Sequence, residues 1–466
     1  MKIFGRSKIV YVLHHSYQHE QRQILIRHRQ RLHYIFTAFF PLATAVGLFF
    51  MTAVSATTPP LVLGNLSYQK YDTHALTSKA SLAINVADGN LIMQAQEMNI
   101  AGTGPALSIS RYFNDMATGS GQLGSHNTLS VGSDVHITAN AGGSATYQGP
   151  SGFQVTFPSN GSGGYTTPAS YTDATLASVN GGGWTLTFNK SGEIYTFNSS
   201  GNQIEDASAN GEAINFAYNS NGTLNTATDT QGRVTSFSNY TGTNIGKITD
   251  SSGRYVTYTY TNGQLTASTD AAGGNWQYQY YDTRGNINQI TDPRGYTTTL
   301  TYDASNRITS VKYNDFTSSS TTWTYTYNNG NTVVTDPLNH QTTYNYDTSG
   351  RVTTVVDAVG ASHGSTWDPN NNKTASADPS GYQTTRTYDS FNNLKSIQNP
   401  TLASGSAGAK TSYTYGSAAH PYLPVSSTDT TGNLVAYSYN TNGNLISSTN
   451  TSAGGTGMGT STKKLQ

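Results

Sequence analysis

The chain contains no cysteine, which excludes disulfides, thiol chemistry and Cys-ligated zinc. Charge is scarce: 11% of the 466 residues are Asp, Glu, Lys or Arg, with 25 acidic against 25 basic. The balance is uneven. Seven basic residues (Lys2, Arg6, Lys8, Arg22, Arg27, Arg29 and Arg31) precede Ala56 with Glu20 alone against them, so the body carries a net charge of −6. A body without a basic excess lacks the electrostatic footprint of a nucleic-acid binder, and no nucleic-acid partner is expected. Helix formers are sparse after residue 57. Catalytic constellations are missing too. There is no His-Glu-x-x-His, and Gly242–Ile248 is a poor P-loop, too short and with Ile where Ser or Thr belongs. Glu205-Asp206 reads as a solvated acidic pair near a turn. No enzyme, cofactor or metal site is expected.

What is present is aromatic and turn-forming. The chain holds 32 Tyr and 47 Gly with abundant Thr and Asn, a composition suited to pleated strands and tight turns. Residues 1–56 combine a basic region, an uncharged apolar run over 35–54 and the small residues Val54-Ser55-Ala56. This predicts a secretory signal peptide, cleaved after Ala56, and hence a secreted or cell-surface protein exported in the bacterial manner. The alternative is an uncleaved N-terminal transmembrane anchor, the one way the chain would engage a membrane. His14, His15, His19, His28 and His33 fall in this leader and carry no metal-site spacing. Residues 57–190 alternate like β-strands, as in Leu82–Val86 and Leu91–Met93 around the turn Asp88-Gly89. They predict a β-rich N-terminal domain that caps the array following it.

The array, residues 191–450, rewrites one sentence. Its key aromatics fall at Tyr260, Tyr281, Tyr302, Tyr327, Tyr346, Trp367 and Tyr388, mostly 21 residues apart, with one spacing of 25 and one of 19. Such a period marks units that bury their faces only against neighbours. In each unit an aromatic is followed by Asp or Asn, then Gly, then apolar residues, then Asp-x-x-Gly. The motif residues are Tyr281, Asp282, Gly285, Asp292 and Gly295, then Tyr346, Asp347, Gly350, Asp357 and Gly360, then Trp367, Asp378, Gly381, Tyr388 and Asp389. Asp starts a turn by accepting backbone N–H groups ahead of it, and Gly takes the positive φ that rejoins a strand. Each unit is therefore a β-hairpin with two turns. Ile287 and Ile290, three apart on the returning strand, predict a bulge. The Asp row could also be imagined as a calcium ladder, but turn chemistry accounts for it. The Tyr and Trp rows suit hairpin packing before sugar stacking. Residues 451–466 read as a flexible Gly/Ser/Thr tail.

The Tyr-Asp-x-x-Gly-x-Ile core at Tyr281–Ile287 and its kin resembles the YD repeats of Rhs proteins, bacterial wall-associated proteins and animal teneurins, over roughly 190–450. The segments Ile84–Gln94 and Gly104–Asn114 resemble the domain that precedes YD repeats in Rhs proteins. The resemblance implies an all-β fold in which hairpins spiral into a hollow shell, with the N-terminal domain as a cap. Toxin members enclose a C-terminal effector. No closing core, self-cleavage aspartates or effector is found after the last repeat. About a dozen repeats suit an open shell better than a sealed one. The expected function is a non-enzymatic structural shell or interaction surface at the cell envelope. Two alternatives stand: the front part of a contact-dependent polymorphic toxin, and a carbohydrate-binding adhesin. Partners in keeping with these readings are surface glycans, proteins of neighbouring cells or toxin-associated proteins.

Overall fold

The computed structural model describes residues 59–280, 284–314, 321–401, 405–451 and 460–464. The leader, residues 1–56, lies outside them. No helix of the described residues is long and apolar enough to cross a membrane. The described residues are strand and turn almost throughout, with one short 3-10 segment, Gly132–Asp134.

The dominant element is a 27-stranded antiparallel sheet from Ala174–Ser178 to Thr460–Lys464, in which spatial order follows chain order. Sequential pairing is what short Asx turns between adjacent strands allow. The predicted bulge recurs: the register shifts between Gln279 and Tyr280 opposite Ile287–Gln289, leaving Asn288 unpaired, so that Ile287 and Ile290 both point inward. Equivalent shifts occur at Thr259/Tyr260, Thr301/Tyr302, Asn345/Tyr346, Thr366/Trp367 and Thr387/Tyr388. Bulges repeated on the same strand of most hairpins increase its twist in one sense, and the sheet winds back over its own beginning. Asn392 donates to Ala169 O at 2.9 Å, Asn371 to Ser170 O at 3.5 Å, and Asn442 to Asn210 Oδ1 at 3.4 Å. The hydrogen-bonded ladder itself stays open among the described residues, and turn side chains of the later winding reach the earlier one. The segment predicted as a flexible tail supplies a strand instead. Thr460–Lys464 pairs with Leu445–Thr451, because β-favouring Thr and Ser meet an unpaired sheet edge there.

Before the array come a five-stranded sheet, from Tyr71–Thr77 to Asn127–Leu129, and a three-stranded sheet over His136–Phe157. The predicted Asp88-Gly89 connection joins Ala80–Asn85 to Leu91–Ile100. Neither sheet extends the long sheet. The five-stranded sheet lies against its inner face, where Leu82, Ile84, Met93, Ile109 and Phe113 form one core with residues from Ile214 to Val334. The three-stranded sheet packs Ile137, Tyr147 and Phe157 on the first strands, around Leu176, Leu186 and Phe197. The cap is thus a plug covering a face, since the larger apolar surface of the array is its inner wall and not its edge.

Candidate functional site

The repeat aromatics do more than pack. Most reach back one hairpin and donate to the carbonyl 15 residues earlier; the Tyr327 hydroxyl instead is buried without a hydrogen-bond partner among the described residues. Tyr218 donates to Gln203 O at 2.6 Å, Tyr260 to Ile245 O at 2.6 Å, Tyr280 to Leu265 O at 2.8 Å and Tyr302 to Ile287 O at 2.8 Å. Trp367 makes the same bond through its indole N–H, to Val352 O at 2.9 Å. Tyr388 and Tyr439 continue the series at 3.1 and 2.8 Å. A donor on an amphipathic ring is what this position requires, which is why Trp can replace Tyr there. In the doublet Tyr280-Tyr281 the ladder position is Tyr280. Tyr281 and Asp282 lie outside the described residues. Tyr346 pairs with Val352 at the same place in its own hairpin.

The motif aspartates hold the turns. Oδ1 of Asp292 accepts the backbone N–H groups of Arg294 and Tyr296 at 2.8 and 3.0 Å. Asp347, Asp357, Asp378 and Asp389 repeat this on the residues two and four ahead. Gly295, Gly350, Gly360 and Gly381 all take positive φ. A feature missed in the sequence is an arginine clamp on Oδ2: Arg233 on Asp229, Arg254 on Asp250, Arg307 on Asp303 and Arg351 on Asp347. Asp-x-x-Gly-Arg, legible at three of these turns, was the signal. In Asp229 burial raises the carboxyl pKa, but the Arg233 backbone and guanidinium lower it further, so it lies below the ordinary range. With Oδ1 on the backbone and Oδ2 on arginine, these oxygens already have partners within their own turn. Gly285 serves a different contact: a Cβ there would meet His126 of the plug at 2.8 Å.

The seam between plug and array holds buried charged groups. Arg111, 2% exposed, donates from Nε to Glu97 Oε1 at 2.9 Å and from its terminal nitrogen to Tyr278 Oη at 2.7 Å. Burial opposes its charge, but Tyr278 and Glu97 outweigh that and raise its pKa. A second junction joins Asp72 and His74 of the plug to Tyr325 of the array. The Tyr325 hydroxyl lies 2.6 Å from Asp72 Oδ2 and 2.6 Å from His74 Nε2. Trp323 meets the His74 ring edge-on at 5.0 Å. Burial raises the Asp72 pKa, but hydrogen bonds from His74 and Tyr325 more than offset it. Three carboxyls in the plug go the other way, and burial raises Asp115 well above the ordinary range. Desolvation pushes Asp88 and Asp134 up to about 7, against the backbone N–H groups that they accept. The pair Glu205-Asp206 is not a solvated turn. It lies on the strand Gln203–Ala207, and burial followed by the Glu193 charge raises Asp206 to about 8. A cavity of about 380 Å³ lies where the Asp88 turn meets Arg307 and Tyr327, with Leu61 and Met116 on its walls. Among the described residues no three His, Asp or Glu side chains converge as a metal site. The arrangement can clamp two layers together.

The RHS repeat family model matches residues 261–297, 281–315 and 329–362. A domain of unknown function, DUF6531, matches residues 83–157, within the plug. No curated protein matches the chain. Among solved structures, the chain is similar to the TcdB2-TccC3 crystal structure without its hypervariable C-terminal region, at 12% identity and TM-score 0.34, over 84% of this chain and 26% of that one. It is also similar to the Photorhabdus luminescens Tc holotoxin pore carrying a TccC3 mutation, at 12% identity and TM-score 0.36, over 83% of this chain and 26% of that one. The chain therefore spans about a quarter of the length of the structures it matches.

Proposed function

This chain is an Rhs/YD-repeat protein, and we propose that it is an exported, non-enzymatic shell that serves the cell envelope as a structural or interaction surface. The observation that supports this most is how the repeat's distinctive groups are used. The ladder aromatics tie successive hairpins and the motif aspartates pin turns. Their chemistry is committed to holding a wall. The plug fills the inner face of the earlier repeats, from Ile214 to Val334, and leaves later ones open to solvent. Such a wall presents surface and does not need turnover to act. The sugar-stacking reading gains nothing from Trp367, because Lys373 and Arg351 lie over its ring at 4.9 and 5.9 Å.

The test is to express the chain with its leader in a bacterial host and fractionate the cells. The expected product begins after Ala56, is found outside the cytoplasm, and is digested by protease added to intact cells or recovered from the medium. A cytoplasmic product that still begins at Met1 refutes export. Turnover in a hydrolase screen of the purified body, lost with a point substitution, refutes the non-enzymatic reading.

A further inference from the structure

The inner wall repeats its apolar residues in most hairpins, with Thr332 opposite Tyr327 and Ser365 two residues before Trp367 as uncharged exceptions, until two neighbouring hairpins place cations there. Opposite the ladder aromatic, at the head of the returning strand, stand Leu224, Leu265, Ile287, Ile308, Val352 and Leu394. Opposite Trp367 the residue is Lys373. Two residues before the ladder aromatic stand Phe216, Tyr258, Tyr278, Leu300, Tyr325 and Tyr344. Before Tyr388 the residue is Arg386. Beyond these hairpins the pattern returns with Tyr413 and Tyr437. Two cations thus occupy inward positions that packing alone fills with leucine and tyrosine. They lie where the plug's apolar core has ended.

The two are placed with care. Lys373 Nζ lies 4.9 Å from the centre of the Trp367 ring, which steadies an ammonium without neutralising it. One Arg386 terminal nitrogen donates to Ser376 Oγ at 3.0 Å, and among the described residues the rest of its fork has no hydrogen-bond partner. A third cation, Lys70, comes from the plug just ahead of the strand Tyr71–Thr77. Lys373 and Arg386 lie on the neighbouring strands Lys373–Ala377 and Gln383–Tyr388, and Gln69, next to Lys70, donates to Ser349 O at 3.1 Å; burial lowers the Lys373 pKa, and the charges of Arg386 and Lys70 lower it further. Lys70 also acts on Asp72, whose carboxylate is already taken by His74 and Tyr325. Among the described residues, none of the three cations forms an ion pair with a carboxylate. Like charges gathered on a half-buried wall destabilise a fold that gains nothing from them.

We propose that Lys70, Lys373 and Arg386 form an oxyanion-binding site on the open inner wall, which takes a phosphoryl or carboxylate group. Arg386 supplies the planar fork and the two lysines supply point charges. The group could arrive as a free ion or on an acidic polypeptide; the chemistry is shared and the source is measurable. Thermal unfolding of the full chain is followed in sodium phosphate, in polyglutamate and in sodium chloride of matched ionic strength. Phosphate or polyglutamate should raise Tm saturably by about 2 °C or more over chloride. A response to phosphate assigns a free oxyanion, and a response to polyglutamate alone assigns a polymer-borne carboxylate. The variant Lys373→Leu/Arg386→Tyr restores the residues that the other repeats use. It should unfold no earlier than the natural chain and lose the response. Lys70→Gln, at an exposed position, should need severalfold more ligand for the same shift. The site is refuted if neither ligand exceeds chloride, or if the double variant or Lys70→Gln responds as the natural chain does.

Discussion

Removing Arg111 should loosen the plug more than any other single substitution at the seam, and removing its partner as well should undo the damage. Arg111 and Glu97 are both buried in the ion pair, with 2% and 6% of their side chains exposed. Arg111→Met leaves the Glu97 carboxylate without its cation and the Tyr278 hydroxyl without its donor. Breaking one side of a buried pair costs about 3–5 kcal/mol. Glu97→Leu leaves the guanidinium stranded and belongs in the same range. Replacing both with apolar residues of similar volume removes the desolvation penalty along with the attraction, which is often neutral or stabilising. The double variant Glu97→Leu/Arg111→Met should therefore lie within about 1 kcal/mol of the natural chain, far from the sum of the single changes. Tyr278 still has Ser268 as a partner, at 3.2 Å, in both backgrounds. Trp276, 8% exposed in the same core, supplies a fluorescence signal for urea unfolding. A cost below about 1 kcal/mol for Arg111→Met, or a double variant as unstable as the two singles added together, would refute the seam as a buried, coupled pair.

Four further outcomes are expected. Tyr302→Phe keeps the ring and loses the bond to Ile287 O, so it should lower stability by about 0.5–1.5 kcal/mol in urea unfolding, whereas Thr301→Ala on the same strand should cost less. Asp292→Ala frees two backbone N–H groups at its turn and should cost about 1–2 kcal/mol, with Asp292→Asn recovering most of it; equal losses for both would reject the Asx turn. Asp88 and Asp134 have folded pKa values raised to about 7, so the folded chain keeps protons that the unfolded chain releases. Their contribution is complete below about pH 4, declines as pH rises to about 7 and is flat beyond. Asp134→Asn should flatten part of that decline in a pH series of unfolding curves, and an unchanged profile would contradict a neutral Asp134. Hydrogen exchange should be slowest in strands under the plug, such as Tyr255–Thr261 and Asn275–Tyr280, and faster in uncovered ones such as Gln383–Tyr388 and Leu434–Tyr439; uniform protection would deny that burial sets it.

The hairpin was legible because its signals are local. Asp-x-x-Gly specifies a turn whose side-chain and backbone bonds span four residues, and Ile287 and Ile290 announce a bulge by breaking strict alternation. The ladder was hidden although its period was plain: nothing in the spacing of tyrosines tells that a hydroxyl reaches the carbonyl 15 residues behind. In the doublet Tyr280-Tyr281 the 21-residue spacing points to Tyr281, which lies outside the described residues, whereas pairing with Ile287 and the bond to Leu265 O put Tyr280 in the ladder. The plug's place on the inner wall could not be read at all. Its contacts join residues far apart, as Arg111 with Tyr278 and His74 with Tyr325, and no local pattern encodes such a pairing. Asp206 was misread for the same reason. Beside a glutamate in sequence it looks solvated, and only the fold brings Glu193 and the tyrosines against it.

The chain itself separates two roles that a single repeat leaves confounded. Under the plug, the inner wall carries both a hydrophobic face and a ladder aromatic, so either could be the reason for the repeat. Beyond Val352, inward positions turn polar or charged at Ser365, Ser376 and Arg386, and the plug's core no longer reaches them. The hydrophobic demand relaxes there because nothing apolar lies opposite. The ladder does not relax. Trp367, Tyr388 and Tyr439 still donate to the hairpin behind them, and Tyr415 donates to Leu394 O at 3.1 Å across a longer connection. The turns also persist, with Asp378, Asp389 and Asp429 accepting from the residues two and four ahead. What defines the repeat is therefore the tie between neighbouring hairpins and the turn that spaces them. The apolar face is a local addition wherever a second layer must be held. A wall built on nearest-neighbour ties can change its inner surface residue by residue without losing its course, and the cations at Lys373 and Arg386 are the clearest use of that freedom.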